Sequence, residues 1–227
     1  MRPRAASPWA ALAAEIEACQ LCPRLRVYAT AVCRAPRRAF AGEVYWGRPV
    51  PGFGDPHARL LLVGLAPAAH GALRTGRMFT GDRSGDFLFA ALHRAGFASQ
   101  AASRGRGDGL VLREAYLTAA ARCAPPGNRP TPEEFARCRP FLERELRALP
   151  RLRVVLTLGQ LGHEQLLLAL GARRARHPFA HGAEYPIGPY TVLACYHPSQ
   201  QNTFTGRLTP SMLDAVLARA RALIAAG

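Results

Sequence analysis

Leu60-Leu61-Leu62-Val63-Gly64-Leu65-Ala66-Pro67-Ala68-Ala69-His70-Gly71 reads LLLVGLAPAAHG. Its apolar start predicts a short buried strand over 59–63, and the Gly/Pro-rich continuation predicts a loop. A buried strand that ends in such a loop usually turns backbone N–H groups toward a ligand. This loop carries no lysine and almost no polar side chain, so it offers shape and backbone rather than functional groups of its own.

Working outward, the same alternation repeats. An amphipathic helix is expected over 7–20, with Ser7 as N-cap and Pro8 at the first position. A helix from Ser84 to Ala95 follows a glycine-rich turn, and 98–110 (ASQAASRGRGDGL) reads as a low-complexity loop. Tyr116-Leu117-Thr118 marks a second strand. Thr131-Pro132-Glu133-Glu134 opens a helix with capping-box chemistry that runs to about Leu149. Val154–Leu158 is a third strand, followed by a helix from Gln160 to Leu170. Residues 191–196 form a fourth strand, and Pro210 starts a final helix. Short apolar strands alternating with helices imply an α/β fold: a three-layer α/β/α arrangement around a four-stranded, mainly parallel sheet. No repeat or boundary interrupts 1–227, so one domain is expected. In such sheets the site lies beyond the carboxyl ends of the strands. Those ends carry GLAPAAHG, TAAARCAPPGN, LGQLGH and CYHPSQQNTFTGR, so the chemically unusual segments converge on one edge.

The 227 residues are enough for a sizeable core. The formal net charge is +15, from 30 basic and 15 acidic residues, and every basic residue is Arg. An excess of this size points to a polyanion, most commonly nucleic acid. Arg2, Arg4, Arg34, Arg37, Arg38, Arg104 and Arg106 are read as general electrostatics. Without Lys, Walker-type phosphate binding is excluded, and so is any imine chemistry beyond the terminal amine. No GxSxG elbow or GxGxxG fingerprint stands in a strand–helix context, which argues against a small-molecule hydrolase or dehydrogenase. The most apolar stretch, VVLTLGQLGHEQLLLALGA, carries Gln, His and Glu and does not read as a membrane span. No signal-peptide pattern opens the chain, so a cytoplasmic location is expected, and nothing signals an oligomer.

Six cysteines divide into four and two. Cys19 and Cys22 form a C-x2-C; Cys123 and Cys138 stand in RCAPPGNRPTPEEFARC; Cys33 and Cys195 are isolated and read as core residues. Structural disulfides are not expected in a reducing compartment, so two pairs of thiols suggest one metal site. The wide second spacing suits a [4Fe-4S] cluster better than a zinc ribbon, which repeats a short knuckle.

Taken together, GLAPAAHG, MFTGDRSG, CAPPGNRPTP, YHPSQQNTFTGRLT and the cysteine pattern resemble the uracil-DNA glycosylase superfamily and its iron–sulfur branch. The alanine-rich first motif most resembles family 5 rather than family 4. The resemblance covers nearly the whole chain, from Cys19 to the last helix. It implies a four-stranded parallel sheet between helices, a base flipped from duplex DNA, and hydrolysis of its N-glycosidic bond to leave an abasic site. Uracil, and for family 5 also hypoxanthine and xanthine, are the implied bases; the partner is double-stranded DNA, with single strands left open. A lysine-free chain agrees, since hydrolysis needs water whereas a lyase needs an amine.

The same resemblance implies roles. Ala66 stands where relatives hold water with a carboxylate or amide, so only shape and backbone remain there, with Gly64 before it. Phe79 matches the aromatic that stacks on the flipped base. Asp82 is the candidate carboxylate for orienting water or balancing the sugar cation, although Asp before Arg-Ser-Gly also suits a helix cap. Asn128 is a candidate for the water or a sugar contact. Ala119 replaces a family-4 Asn that reads the base, which favours a broader substrate range. His197 matches the donor to the base oxygen. The loop from Pro198 to Arg207 is expected to enter the minor groove, with Ser199, Gln200, Gln201 and Asn202 near the orphaned partner base and Arg207 on a phosphate. Asp82, Asn128 and His197 are thus the catalytic candidates, with Gly64, Ala66, Phe79, Asn202 and Arg207 for binding. Cys19, Cys22, Cys123 and Cys138 are the cluster candidates. The alternative is an iron–sulfur protein that binds or senses damaged DNA without turnover.

Overall fold

The computed structural model describes residues 7–226, so Arg2 and Arg4 lie outside the described residues. Two helices, α1 (Pro8–Ala18) and α2 (Pro23–Arg34), precede a two-residue strand β1 (Phe53–Gly54) and then β2 (Leu60–Gly64), which carries the stretch quoted at the outset. Helices α3 (Ala72–Thr75) and α4 (Arg83–Arg94) lead to β3 (Ala115–Ala119). Then come α5 (Pro132–Ala148), β4 (Val154–Leu158) and α6 (Gln160–Ala169). The hairpin of β5 (Glu184–Ile187) and β6 (Tyr190–Cys195) is followed by α7 (Gln200–Phe204) and α8 (Pro210–Ala225).

The sheet runs β1-β3-β2-β4-β6-β5. Its four central strands are parallel, with Leu62 opposite Leu117 on one side and Leu156 on the other. This is the expected sheet, extended at each edge by an antiparallel strand that the four-strand expectation lacked. β1 is too short to show a period. β5 alternates exposed and half-buried residues and turns into β6 at Gly188-Pro189, with Gly188 at φ 58°.

Strands β2, β3 and β4 are buried at every position, as parallel strands covered on both faces must be. Alternate residues feed two cores. Leu60, Leu62, Leu117 and Leu156 pack with Leu88 and Leu92 of α4 and with Leu213 and Leu217 of α8. Leu61, Val63 and Val155 pack on the other face with Leu142 and Leu146 of α5 and Leu166 of α6. Burying each of these leucines contributes roughly 1.5–3 kcal/mol. The chain moves from β2 to β3 on one side, then crosses to β4 on the other. The segments leaving β2 and β4 therefore diverge to opposite faces, and a crevice opens beyond their carboxyl ends.

Helix ends follow terminal chemistry. Ser7 Oγ accepts the Ala10 N–H at α1, and Thr131 and Glu134 cap α5 reciprocally. The segment 98–110 is tied down: Asp108 accepts the N–H groups of Arg104 and Leu110 at 2.8 and 3.0 Å and pairs with buried Arg77. Burial works against the Asp108 charge, but these bonds outweigh it and hold the carboxyl well below the usual range. Arg106, expected as general electrostatics, instead pairs with Glu17 at 3.3 Å and stacks over Trp46. Among the described residues no helix is long and apolar enough to cross a membrane.

Candidate active site

Beyond the carboxyl ends of the central strands lies a cleft of ≈ 300 Å³. Ala66, Phe79, Asp82, Asn128 and His197 line it together, although they come from four separate loops. Leu65, Pro67, Ala68 and Met78 give it an apolar wall, and Ser84 and Ser199 add hydroxyls. Met78 and Ser84 escape a reading of the sequence. Both flank stronger candidates in MFTGDRS, and that adjacency was the available signal.

Phe79 is held by its surroundings. Its φ of 52° is unusual for a bulky residue and fixes the direction of the side chain. The ring lies against the end of β2, where a Cβ on Gly64 would come within 2.6 Å of Phe79 Cζ. Gly64 thus makes room for the aromatic beneath the cleft and does not line the cleft itself. On its far side Phe79 faces the His197 imidazole, with centroids 5.9 Å apart and planes tilted by 30°. His197 follows β6, and burial pushes its pKa down to about 4, so the ring is neutral at pH 7.

Asp82 combines the two readings its sequence allowed. Oδ1 accepts the Gly85 N–H at 2.9 Å and caps α4. Oδ2 lies so close to Gly71 that a Cβ there would come within 2.1 Å. One oxygen is committed to the helix, and the residue still lines the cleft. Burial pushes the carboxyl above the usual carboxylate range, and the N–H groups of Gly85 and Ser84 pull it partly back. Asn128 sits on the rim at φ 56°, the left-handed conformation that Asn tolerates. Ala66 contributes only a methyl wall, and Ala119 is buried in the core at the end of β3.

Other candidates fall outside the cleft. The segment from Pro198 to Arg207 is not an open loop, because α7 forms within it with Ser199 Oγ accepting the Asn202 N–H at 3.3 Å. Asn202 donates through Nδ2 to the His197 carbonyl at 2.8 Å, so its amide holds the backbone of a cleft residue. Gln200 and Gln201 remain exposed. Arg207 lies over the Tyr196 ring, 4.7 Å from its centroid.

A second site forms below. Cys19 closes α1, Cys22 caps α2, Cys123 follows β3 and Cys138 lies in α5, and all four line one buried space. Arg26, Arg122 and Arg137 line it too. Burial pushes the Cys123 thiol up to about 12 and the Cys138 thiol up to about 11. The Arg122 N–H donates to Cys138 Sγ at 3.3 Å, and the Arg122 side chain is buried against Glu145 at 2.6 Å. Among the described residues no three His, Cys, Asp or Glu side chains meet closely enough to hold a single metal ion. Four soft sulfurs around a shared space, an N–H on one of them and guanidiniums to offset anionic charge are a donor set that fits a cluster with four corners. Cys195 is buried in β6, and Cys33 packs near Gly47, both apart from this set.

A sequence profile described as "Uracil DNA glycosylase superfamily" matches residues 51–221. The chain is 55% identical over 209 residues to a type-5 uracil-DNA glycosylase of Thermus thermophilus, covering 92% of this chain and 94% of that one. It is 51% identical over 215 residues to a type-5 enzyme of Mycobacterium leprae, covering 93% and 94%. To one of Pyrobaculum aerophilum it is 48% identical over 204 residues, covering 90% and 88%. With this similarity covering at least 90% of the chain and the motif loops gathered at one end of the sheet, the chain belongs to the type-5 family of the uracil-DNA glycosylase superfamily.

Proposed function

We propose that the protein excises uracil, and also hypoxanthine and xanthine, from DNA by hydrolysing the N-glycosidic bond and leaving an abasic site. The observation that carries the reading is the meeting of an aromatic face, a neutral imidazole and a half-buried carboxylate in one cleft of flipped-base size. Breaking the C1′–N bond leaves positive charge on the sugar and negative charge on the base. Phe79 stacks on the base, and His197 donates an N–H to the base oxygen that gains charge. Asp82 carries the negative charge that balances the sugar cation. It also orients a water that adds its oxygen to C1′ while the water's proton passes to the departing base anion, giving the free base and an abasic sugar, and Asn128 lines the same cleft. Leu65, Ala66, Pro67, Ala68 and Met78 give the cleft a largely apolar wall with few groups to read a base edge, which supports a broad range of deaminated bases. The absence of Lys from the chain supports a hydrolase without lyase activity.

Cys19, Cys22, Cys123 and Cys138 would hold a [4Fe-4S] cluster, which supplies a structural cross-link rather than chemistry at the glycosidic bond. These ligands tie α1 and α2 to the 123–138 segment that carries Asn128.

The test is base excision on labelled duplexes carrying one uracil, hypoxanthine or xanthine, beside an undamaged control, using protein with intact cluster absorbance. Strand breaks that appear at the damaged base only after alkali are expected. Breaks without alkali would overturn the monofunctional reading. No cleavage of any lesion would replace the enzyme with a DNA-binding protein.

A further inference from the structure

Seven arginines lie over aromatic rings among the described residues: Arg48, Arg74, Arg77, Arg106, Arg221, Arg83 and Arg207. The first five also pair with a carboxylate, respectively on Glu17, Glu43, Asp108, Glu17 and Glu114. Arg83 and Arg207 pair with none among the described residues, and each adjoins a cleft residue through its chain neighbours or its ring. Arg83 stands between Asp82 and Ser84 and lies over Phe204, 5.6 Å from the ring centroid. Arg207 lies over Tyr196, the residue before His197. Both side chains are exposed, and Phe204, at the end of α7, is 70% exposed.

A guanidinium resting on a ring keeps its N–H edge free while losing much of its rotational freedom. Inside a fold that edge is normally met by a carboxylate, as in the other five. Two such edges left open, one on Phe204 of α7 and one on Tyr196 beside His197, match a partner that brings its own oxyanions at fixed spacing. On the reading given above, that partner is DNA. We propose that Arg83 and Arg207 are a paired phosphate clamp. They grip the backbone of the damaged strand on either side of the flipped nucleotide, with Phe204 and Tyr196 as the platforms that orient them.

The test is equilibrium binding of the cluster-loaded protein to a fluorescent duplex bearing a tetrahydrofuran abasic site, measured by anisotropy across a salt series. Replacing either residue by Ala should weaken binding and lower the slope of log K against log salt by about 1, and the double variant by about 2. Arg83→Lys should keep the slope but bind more weakly, since the charge remains and the planar edge is lost. Arg151→Ala, an exposed arginine before the amino end of β4, is the control and should leave the slope close to that of the parent protein. Slopes unchanged in Arg83→Ala and Arg207→Ala proteins of normal melting temperature would overturn the clamp. So would an equal loss in Arg151→Ala. Excision is scored separately, so a clamp that fails in an active glycosylase is told apart from a DNA-binding protein that does not excise.

Discussion

At the scale of the residue, Asp82 shows how one side chain serves two ends. Its Oδ1 caps α4, while burial raises the cost of its charge. A carboxyl whose pKa is raised by folding stabilises the fold below its unfolded pKa and loses that contribution as pH rises. At neutral pH the charge is therefore a burden, and Asn, which caps as well as Asp, removes it. Asp82→Asn should melt at or above the temperature of the parent protein at pH 7. Asp82→Ala, which loses the cap, should be less stable by about 0.5–2 kcal/mol; calorimetry checks both. An Asp82→Asn protein markedly less stable than the parent would show that the carboxylate is structural. The sequence allowed both readings of this residue but not the division between its oxygens, with Oδ1 on the helix and Oδ2 beside Gly71, because that depends on the close approach of Gly71. Asn202 was read as facing DNA, yet its amide turns inward to the His197 carbonyl; a short polar helix carries no apolar period to betray its direction.

At the scale of the element, the buried parallel strands were legible because uniform apolar runs leave one reading. α5 was legible because Thr131 and Glu134 fix its start. α2 was not read, although Pro23 at its first turn and the spacing of Leu25, Tyr28, Ala29 and Val32 on its inner side carry the signal; the flanking cysteines drew the reading toward a metal knuckle. The four cysteines come from α1, α2, α5 and the loop after β3, so a cluster held by them would tie these elements together. Cys138→Ser should lose the cluster's visible absorbance. It should also free the N-terminal helices to exchange amide hydrogens faster, while β2 and β4 keep their protection. Full absorbance in Cys138→Ser would remove this cysteine from the ligand set.

At the scale of the whole molecule, the sheet order explains why distant motifs act as one. Reversal of the crossover direction at β2 opens the crevice, and the segments after β2, β3 and β6 deliver Ala66, Asn128 and His197 to it. The charge of the chain then divides: among the described residues twelve arginines are joined to carboxylates, so the excess that remains for a polyanion lies in the others, Arg83 and Arg207 among them. Neither the switch point nor this division of the arginines is visible in composition. The central claim is that this cleft breaks a glycosidic bond with Asp82 ionised and His197 neutral. Its most direct test is single-turnover excision of uracil by the parent protein and by Asp82→Asn across pH 4 to 9. The parent protein should lose rate as pH falls through the raised Asp82 pKa, and Asp82→Asn should be slower by about 10²–10⁴-fold without that limb. An Asp82→Asn protein that excises uracil at the parent rate, with the same acid limb, would contradict the account.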